Sequence, residues 1–437
     1  HYHGQQIQLD SLKHEMWIDG EEYSIKETGV SFKKWDSKGG RFAYMKKTNL
    51  KGLSKMRLKL IINEVKNKND SLLKVNIQNK KLYQELKDSY KTLTKVDSLN
   101  LIFMGDIMGH DSQIKSAYNK KTNTYNYDSV FEEVKDLISN ADFAIANLEV
   151  TLAGPPFKGY PRFSSPKDLA VSCKKSGIDV LVTSNNHTCD RGKKGIIRTL
   201  DILDSLEIKH TGSFRDSLEF KKNNLLVLEK NNIKVGLLNY TFSTNGIAIP
   251  YPTIVNKIDT IAILKDIKKS KTQELDKLIV FIHWGPEYQS KPSNNQKKIA
   301  KFLFNNGVDI IIGAHPHVLQ KMEYFTDFGE ENAQLIAYSL GNYVSNQRDR
   351  KKDGGAMIEL TITKNQEKTK IIEPYYHLTW VHKPIINGKK IFKILPCEKY
   401  ERNEFKDLDL KSKNAMKLFI ADSRKLLGKE NKNITEK

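Results

Sequence analysis

The chain has only three cysteines, Cys173, Cys189 and Cys397. They are odd in number, widely scattered and form no CxxC pair, so neither a disulfide framework nor a zinc ribbon is encoded. No stretch approaches the roughly 18–20 consecutive apolar residues that span a bilayer, and nothing near the start has the apolar run of a signal peptide. The chain opens on His1 rather than Met, which leaves room for a leader or lipid anchor upstream, and localisation stays open. Acidic residues are in deficit: 72 Lys+Arg face 52 Asp+Glu, a formal net charge of +20. Such an excess suits nucleic acid when it is clustered. Here the lysines run through every segment and form no stripe with interleaved aromatics, so they read as solubilising surface, and nucleic acid is not an expected partner. What remains is a globular composition, 38% hydrophobic over 437 residues, enough for a sizeable core and two or three structural units. Disorder and collagen are excluded.

Residues 1–53 carry short alternating runs at 22–25 and 29–32 that suggest small β-hairpins. Gly and Pro are absent from 55–96, where Leu82, Tyr83, Leu86, Tyr90 and Leu93 recur at spacings of three and four; this predicts an N-terminal helical extension over 54–98, suited to docking. From Leu99 the texture changes. Short apolar runs at 101–104, 143–146, 180–183, 225–228, 235–239, 278–282, 309–312, 335–338 and 357–362 alternate with amphipathic stretches, the pattern of an α/β domain over 99–363 with buried strands. Helices are expected from Ser165-Pro166 to Cys173, from Asp190 to about Leu206, and over 294–304. Residues 364–437 read as a C-terminal extension, tail-like from 375, with extended structure near 385–395 and a helix near 415–427.

The informative feature is what ends the apolar runs. They close in Asp106, in Asn147-Leu148-Glu149, in Asn185-Asn186-His187, in His283, and through Gly313 in His315-Pro316-His317. Ligands of open α/β sheets collect beyond the carboxyl ends of the strands, so five strands aim at one place. Imidazoles, carboxylates and an amide form the mixed N/O donor set of a borderline divalent metal, with enough groups for two ions. Each residue alone has a plainer explanation: a satisfied histidine, a turn-forming Asp, an Asn that caps a helix. Four of the eleven histidines beyond apolar runs, beside two acids, weaken that explanation.

The segments Gly105-Asp106-Ile107-Met108-Gly109, Asn147-Leu148-Glu149, 184–192 (SNNHTCDRG), 283–288 (HWGPEY), 313–318 (GAHPHV) and 338–343 (YSLGNY) resemble, in order, the motifs of CapA-type capsule-biosynthesis proteins. That family is associated with poly-γ-glutamate capsule synthesis and has a calcineurin-like metallophosphoesterase fold. The resemblance implies a four-layer α/β/β/α sandwich. It implies Asp106, Glu149, Asn186, His283, His315 and His317 as ligands of one or two divalent ions, with Mn, Zn or Fe as plausible identities. It also makes His187 the general acid, with Asp190 as its orienting partner. Two positions depart from the wider superfamily: Met108 stands where an Asp-x-His motif has His, leaving His110 as a displaced substitute, and Glu149 stands where Asp is usual. Arg162 lies in a further segment resembling the family and is a candidate partner for a substrate carboxylate or phosphate. Trp284, Glu287, Tyr288 and Asn342 are candidate substrate-binding residues, with Gln296 and Tyr343 beside them; the aromatics fit a core equally well. The implied function is metal-dependent hydrolysis, with a metal-activated water, of an anionic polymer such as poly-γ-glutamate or of a phosphoester. The alternative is a non-catalytic polyanion-binding accessory component of an envelope polymer synthase. Either role implies the cell envelope or the extracellular space.

Overall fold

A computed structural model describes the backbone of five strands within residues 7–46, and residues 96–437 apart from 327, 328, 330, 331, 366, 367, 387, 406 and 407. The chain divides into two compact units, His1–Val96 with Asn365–Glu367, and Asp97–Lys364 with Lys368–Lys437. In the first, β1 (Ile7–Asp10), β2 (Glu15–Ile18), β3 (Glu21–Lys26), β4 (Gly29–Lys34) and β5 (Met45–Lys46) form one antiparallel sheet in sequence order. The β3–β4 pair realises the hairpin expected at 22–32. The helix expected over 54–98 lies outside the described residues as far as 95, and a strand begins at Asp97.

The second unit is built on two sheets. Its strands are β6 (Asp97–Ile107), β7 (Phe143–Leu148), β8 (Val180–Val182), β9 (Lys209–Thr211), β10 (Leu226–Lys230), β11 (Ile233–Thr241), β12 (Lys277–His283), β13 (Ile310–Ala314), β14 (Met322–Phe325), β15 (Gln334–Ala337), β16 (Asn342–Val344), β17 (Gly354–Asn365), β18 (Lys368–His382) and β19 (Lys393–Pro396). A nine-stranded sheet runs β9-β8-β7-β6-β17-β18-β19, with β16 pairing the end of β6 and Thr435–Glu436 pairing β18. A six-stranded sheet runs β10-β11-β12-β13-β15-β14. The strands β6 to β9 are mutually parallel, as are β11, β12, β13 and β15.

Parallel strands covered on both faces must be apolar on both, and every residue of β12 and of β13 is buried. Leu101, Phe103, Ile145 and Val182 of one sheet meet Leu237, Ile279, Phe281 and Ile312 of the other in a single core. The alternate residues face outward. Ile102, Ala144, Ala146 and Leu181 pack beneath α2 (Asp168–Lys175) and α3 (Gly192–Ser205), and Leu238, Val280, Ile282 and Ile311 beneath α4 (Thr260–Ser270) and α5 (Asn294–Asn305). A short α1 (Asp111–Ala117) precedes them in the chain. The architecture is therefore the four-layer α/β/β/α sandwich.

Two local expectations change. The helix expected from Ser165 begins at Asp168, because the Ser165 N–H is tied to the Thr151 carbonyl at 2.8 Å and its hydroxyl caps nothing. The segment read as a tail from 375 joins this unit: β18 runs for 15 residues inside the nine-stranded sheet, and α6 (Leu410–Glu430) buries Met416, Phe419 and Ile420 in the inter-sheet core. Among the described residues, no helix is long and apolar enough to cross a membrane.

Close backbone approach at the strand ends leaves no room for a methyl group at Gly313, where a Cβ would lie 2.0 Å from the Tyr338 carbonyl oxygen and 2.7 Å from the Trp284 indole nitrogen. Gly313→Ala should lower stability in urea unfolding by about 1–3 kcal/mol, the usual scale for overpacking. Gly428→Ala, on a face of α6 with nothing within 4 Å, should instead raise it by up to about 1 kcal/mol.

Candidate metal centre

The parallel registers bring the predicted strand ends level. Asp106 pairs with both Asn147 and Asn342, and Thr241, His283 and Ala314 lie side by side. The two sheets are stapled behind the site by Asn239, whose Oδ1 accepts the Ser184 N–H at 2.6 Å while its amide donates to the Phe281 carbonyl at 3.0 Å. The loop 184–187 is thereby fixed against β12. The resulting cluster is closed to bulk water: Asp106, Glu149, Asn186, His187, His283, His315 and His317 are each at most 4% exposed.

Asp106 accepts from three donors: the Asn147 amide at 2.8 Å, the His315 backbone N–H at 3.3 Å, and His317 Nδ1 at 3.1 Å. Burial by itself pushes its carboxyl up, but the His317 hydrogen bond and charge, with the Asn147 amide, outweigh that and hold it below the usual carboxylate range. Glu149 is the opposite case. Neither of its buried oxygens has a hydrogen-bond partner, and burial, reinforced by the neighbouring Asp106 charge, pushes its carboxyl well up. Imidazole nitrogens stand near Oε1, His283 Nε2 at 3.4 Å and His317 Nε2 at 3.7 Å. His283 Nε2 also lies 2.8 Å from Asn186 Oδ1, and its Nδ1 accepts from the Asn147 amide at 3.3 Å. Burial drives His283 well down and His315 down to about 3, in both cases helped by the surrounding histidines, so these rings are neutral, the form that binds metal.

Two donor groups result, Asp106–Glu149–His283 and Glu149–His315–His317, each with ligand atoms within 4.8 Å of one another. Glu149 belongs to both. A carboxylate with two orphaned oxygens and an orphaned His315 Nδ1 are what a divalent ion would satisfy, and the donor set suits a borderline metal. The residues fit the group.

His187 stands beside the donors without belonging to either group. Its Nδ1 is 2.8 Å from Asp190 Oδ2, which also accepts the Phe163 N–H at 2.7 Å. The Phe163 ring meets His187 edge-on at 4.6 Å and His110 at 5.3 Å. Met108 is buried in the core under the outer helices, and His110 belongs to neither donor group: its Nδ1 faces Gln113 Oε1 at 3.1 Å and the Asn346 N–H at 3.4 Å, so it closes the start of α1.

The other candidates separate. Tyr288 is 45% exposed, with its ring 6.1 Å from that of His317, and Glu287 beside it is exposed and close enough for its charge to act on Glu149. Arg162 is exposed on the loop that leads into Phe163. Asn342 is fully buried, and its amide donates to the Lys352 carbonyl at 2.8 Å and the His317 carbonyl at 3.3 Å, so it anchors the donor loop, while its Oδ1 has no hydrogen-bond partner. Trp284 does not line the site. Its indole is packed in the outer core, stacked on Tyr338 and donating to the Tyr338 carbonyl at 3.0 Å. Gln296 caps α5 and holds Gln320, and Tyr343 is packed under the opposite helices. Sequence reasoning quoted Asn147, which touches Asp106, His283 and Asn185, beside Glu149 but gave it no role. It also missed Phe242, whose ring lies 4.6 Å from His315.

Residues 100–347, more than half the chain, match the family described as bacterial capsule synthesis protein PGA_cap. The capsule biosynthesis protein CapA of Bacillus anthracis is 29% identical over 280 residues, which cover 62% of this chain and 65% of that protein, so the chain spans just under two thirds of its relative's length. The PGA biosynthesis protein CapA of Bacillus subtilis is 28% identical over 277 residues, 62% of this chain and 69% of the relative. Among solved structures, the NAD nucleotidase NadN of Haemophilus influenzae aligns over 76% of this chain and 61% of its own, at 15% identity and a TM-score of 0.42.

Titrating metal-free protein with Mn²⁺ or Zn²⁺ should raise its melting temperature, with about 2.7 kcal/mol of stabilisation at a free ion concentration 100-fold above Kd. Glu149→Gln and His315→Ala should abolish that shift, whereas Trp284→Phe should keep it. A shift retained in Glu149→Gln would place the ion elsewhere.

Proposed function

The chain belongs to the bacterial capsule synthesis protein family PGA_cap, and from that premise we propose that it is a metal-dependent hydrolase acting on an anionic polymer of the poly-γ-glutamate type at the cell envelope. The names of its relatives, capsule and PGA biosynthesis proteins, support the substrate class. The observation that carries the reading is a buried His187–Asp190 pair set directly beside a ready-made divalent donor set. Asp106, Glu149, Asn186, His283, His315 and His317 would hold one or two ions. Bound there, a divalent ion supplies Lewis-acid polarisation of the bond under attack and a more acidic water.

The remaining work falls to the chain. Asp190 Oδ2 fixes the Nδ1 proton of His187, which leaves Nε2 to carry the proton that moves. The Phe163 N–H bonded to the same oxygen keeps the Asp190 carboxylate in place, and the Phe163 ring sets the imidazole plane. When a γ-amide breaks, the departing nitrogen must gain a proton, and His187 donates it from Nε2; a departing phosphoester alkoxide has the same need. Burial of the whole cluster excludes bulk water and strengthens each of these interactions.

The test is turnover of γ-glutamyl oligomers, phosphomonoesters and phosphodiesters by metal-loaded protein. His187→Ala should lower kcat by about 10²–10⁴-fold, the usual scale for a general acid, with metal-induced stabilisation intact. Asp190→Asn should fall in the same direction, and His283→Ala should lose metal and turnover together. Absence of turnover on every substrate by metal-loaded wild type would leave a non-catalytic polyanion-binding component as the reading, whereas an unchanged rate in His187→Ala would remove His187 as the acid.

A further inference from the structure

The loop 345–353 after β16 carries four cations, Arg348, Arg350, Lys351 and Lys352, and touches the site at several points. The Asn346 N–H reaches His110 Nδ1 at 3.4 Å, and the Gln347 amide donates to the Tyr288 hydroxyl at 3.3 Å. Two of the cations are hydrogen-bonded elsewhere. Arg348 donates to the Val381 carbonyl at 2.7 Å and lies over the Trp380 ring. Arg350 grips Asp422 with two hydrogen bonds, at 2.5 and 2.6 Å. The Lys351 charge acts on that same Asp422.

Lys352 is different. Its Nζ sits 3.8 Å from the centre of the Tyr288 ring, the exposed aromatic that lies next to His317. Its side chain is only 20% exposed, and its ion-pair partner Asp349, at 2.8 Å, is 80% exposed and three residues back on the same loop. Such a pair is screened and readily exchanged. The backbone of Lys352 is nonetheless anchored: its carbonyl and the His317 carbonyl are both held by the amide of the buried Asn342. One buried side chain thus ties the backbone beneath this cation to the metal-donor loop.

We propose that Lys352 is a specificity-determining residue that receives an anionic oxygen of the substrate, a carboxylate of a polyacid or a phosphate oxygen, next to the reaction centre, with that oxygen taking the place of Asp349. The assignment rests on the hydrolase reading above. It deepens that reading by locating recognition of negative charge on a single residue of the mouth instead of the general basic surface.

Lys351→Gln supplies the charge-matched control, since it removes the same charge from the same loop. Binding is read by fluorescence anisotropy of a labelled γ-glutamyl oligomer, with inorganic phosphate as a competitor in a second arm, and KM is read in parallel. Lys352→Gln should raise Kd and KM about 10-fold, the scale of one charge-assisted hydrogen bond. Lys352→Arg should retain most of the affinity, and Lys351→Gln should behave as wild type. Competition by phosphate would show that the subsite accepts phosphate oxygens, and its absence would show selectivity for carboxylate; either, combined with the Lys352 effect, supports the assignment. Equal losses in the two Gln variants, or none in Lys352→Gln while wild type turns over substrate, would overturn this inference and leave the hydrolase reading intact. A wild type that binds neither probe would overturn the inference together with the anionic-substrate reading.

Discussion

The second unit is organised around a buried carboxylate that no protein donor satisfies. Removing a charged carboxylate from water costs several kcal/mol unless something replaces its solvation, and Glu149 has no hydrogen-bond donor on either oxygen. No lysine or arginine among the described residues is ion-paired to it. Among the described residues, the ion pairs of Asp106, Glu149 and Asp190 are all with histidines, and burial keeps His283 and His315 neutral. With two acids, the neutral imidazoles of His283 and His315 and no lysine or arginine ion-paired to them, Glu149 is compensated either by a proton or by a cation from outside. The histidines supply nitrogen lone pairs to hold such a cation.

That constraint explains what the fold must deliver. The donors come from both sheets, so strand ends on opposite sides of the core have to finish at one level and stay there. The Asn239 staple fixes one sheet to the other, and Asn147 joins Asp106 on one sheet to His283 on the second. Backbone strain collects at the same place: His315, His317 and Tyr288 have φ of 97°, 56° and 65°. Each such residue costs about 1–3 kcal/mol and persists only where its surroundings hold it. Here they do, because the His315 N–H is bonded to Asp106 and the Tyr288 N–H to the Pro316 carbonyl at 2.8 Å. The strain turns both imidazoles of a His-Pro-His run inward, which an extended strand continuing from β13 would not do.

Physical reasons decide which parts of this were readable beforehand. Central parallel strands are buried on both faces and show as continuous apolar runs, so β7, β8, β11, β12 and β13 were visible, and so were the polar residues that end them. By contrast, β18 opens with Lys368 and Lys370 and carries polar residues at Glu373 and His377, so its long course through the sheet is masked by a texture that resembles a tail. Trp284 illustrates a different limit. A tryptophan after a metal-type histidine is compatible with a pocket wall or a core, and only the location of Tyr338, at the end of a strand two places away in the same sheet, decides for the core. Asn147 was hidden by proximity to Glu149, since a pattern that seeks one ligand per strand end passes over the amide that orients two of them.

The excess of positive charge also separates into two roles once the loops are placed. Exposed lysines scattered over the surface act through solvent, where screening at physiological ionic strength limits them to about 8 Å. They raise the encounter rate with an anion without orienting it. A cation orients a ligand only if its own position is fixed, and fixing a lysine requires burying its stem, bracing its ammonium and anchoring its backbone. Lys352 meets all three conditions through its 20% exposure, the Tyr288 ring and the Asn342 amide. Its partner Asp349 is 80% exposed. An incoming anion therefore competes with a loosely held carboxylate for a tightly held ammonium, and the geometry of recognition is set by the lysine side of that exchange.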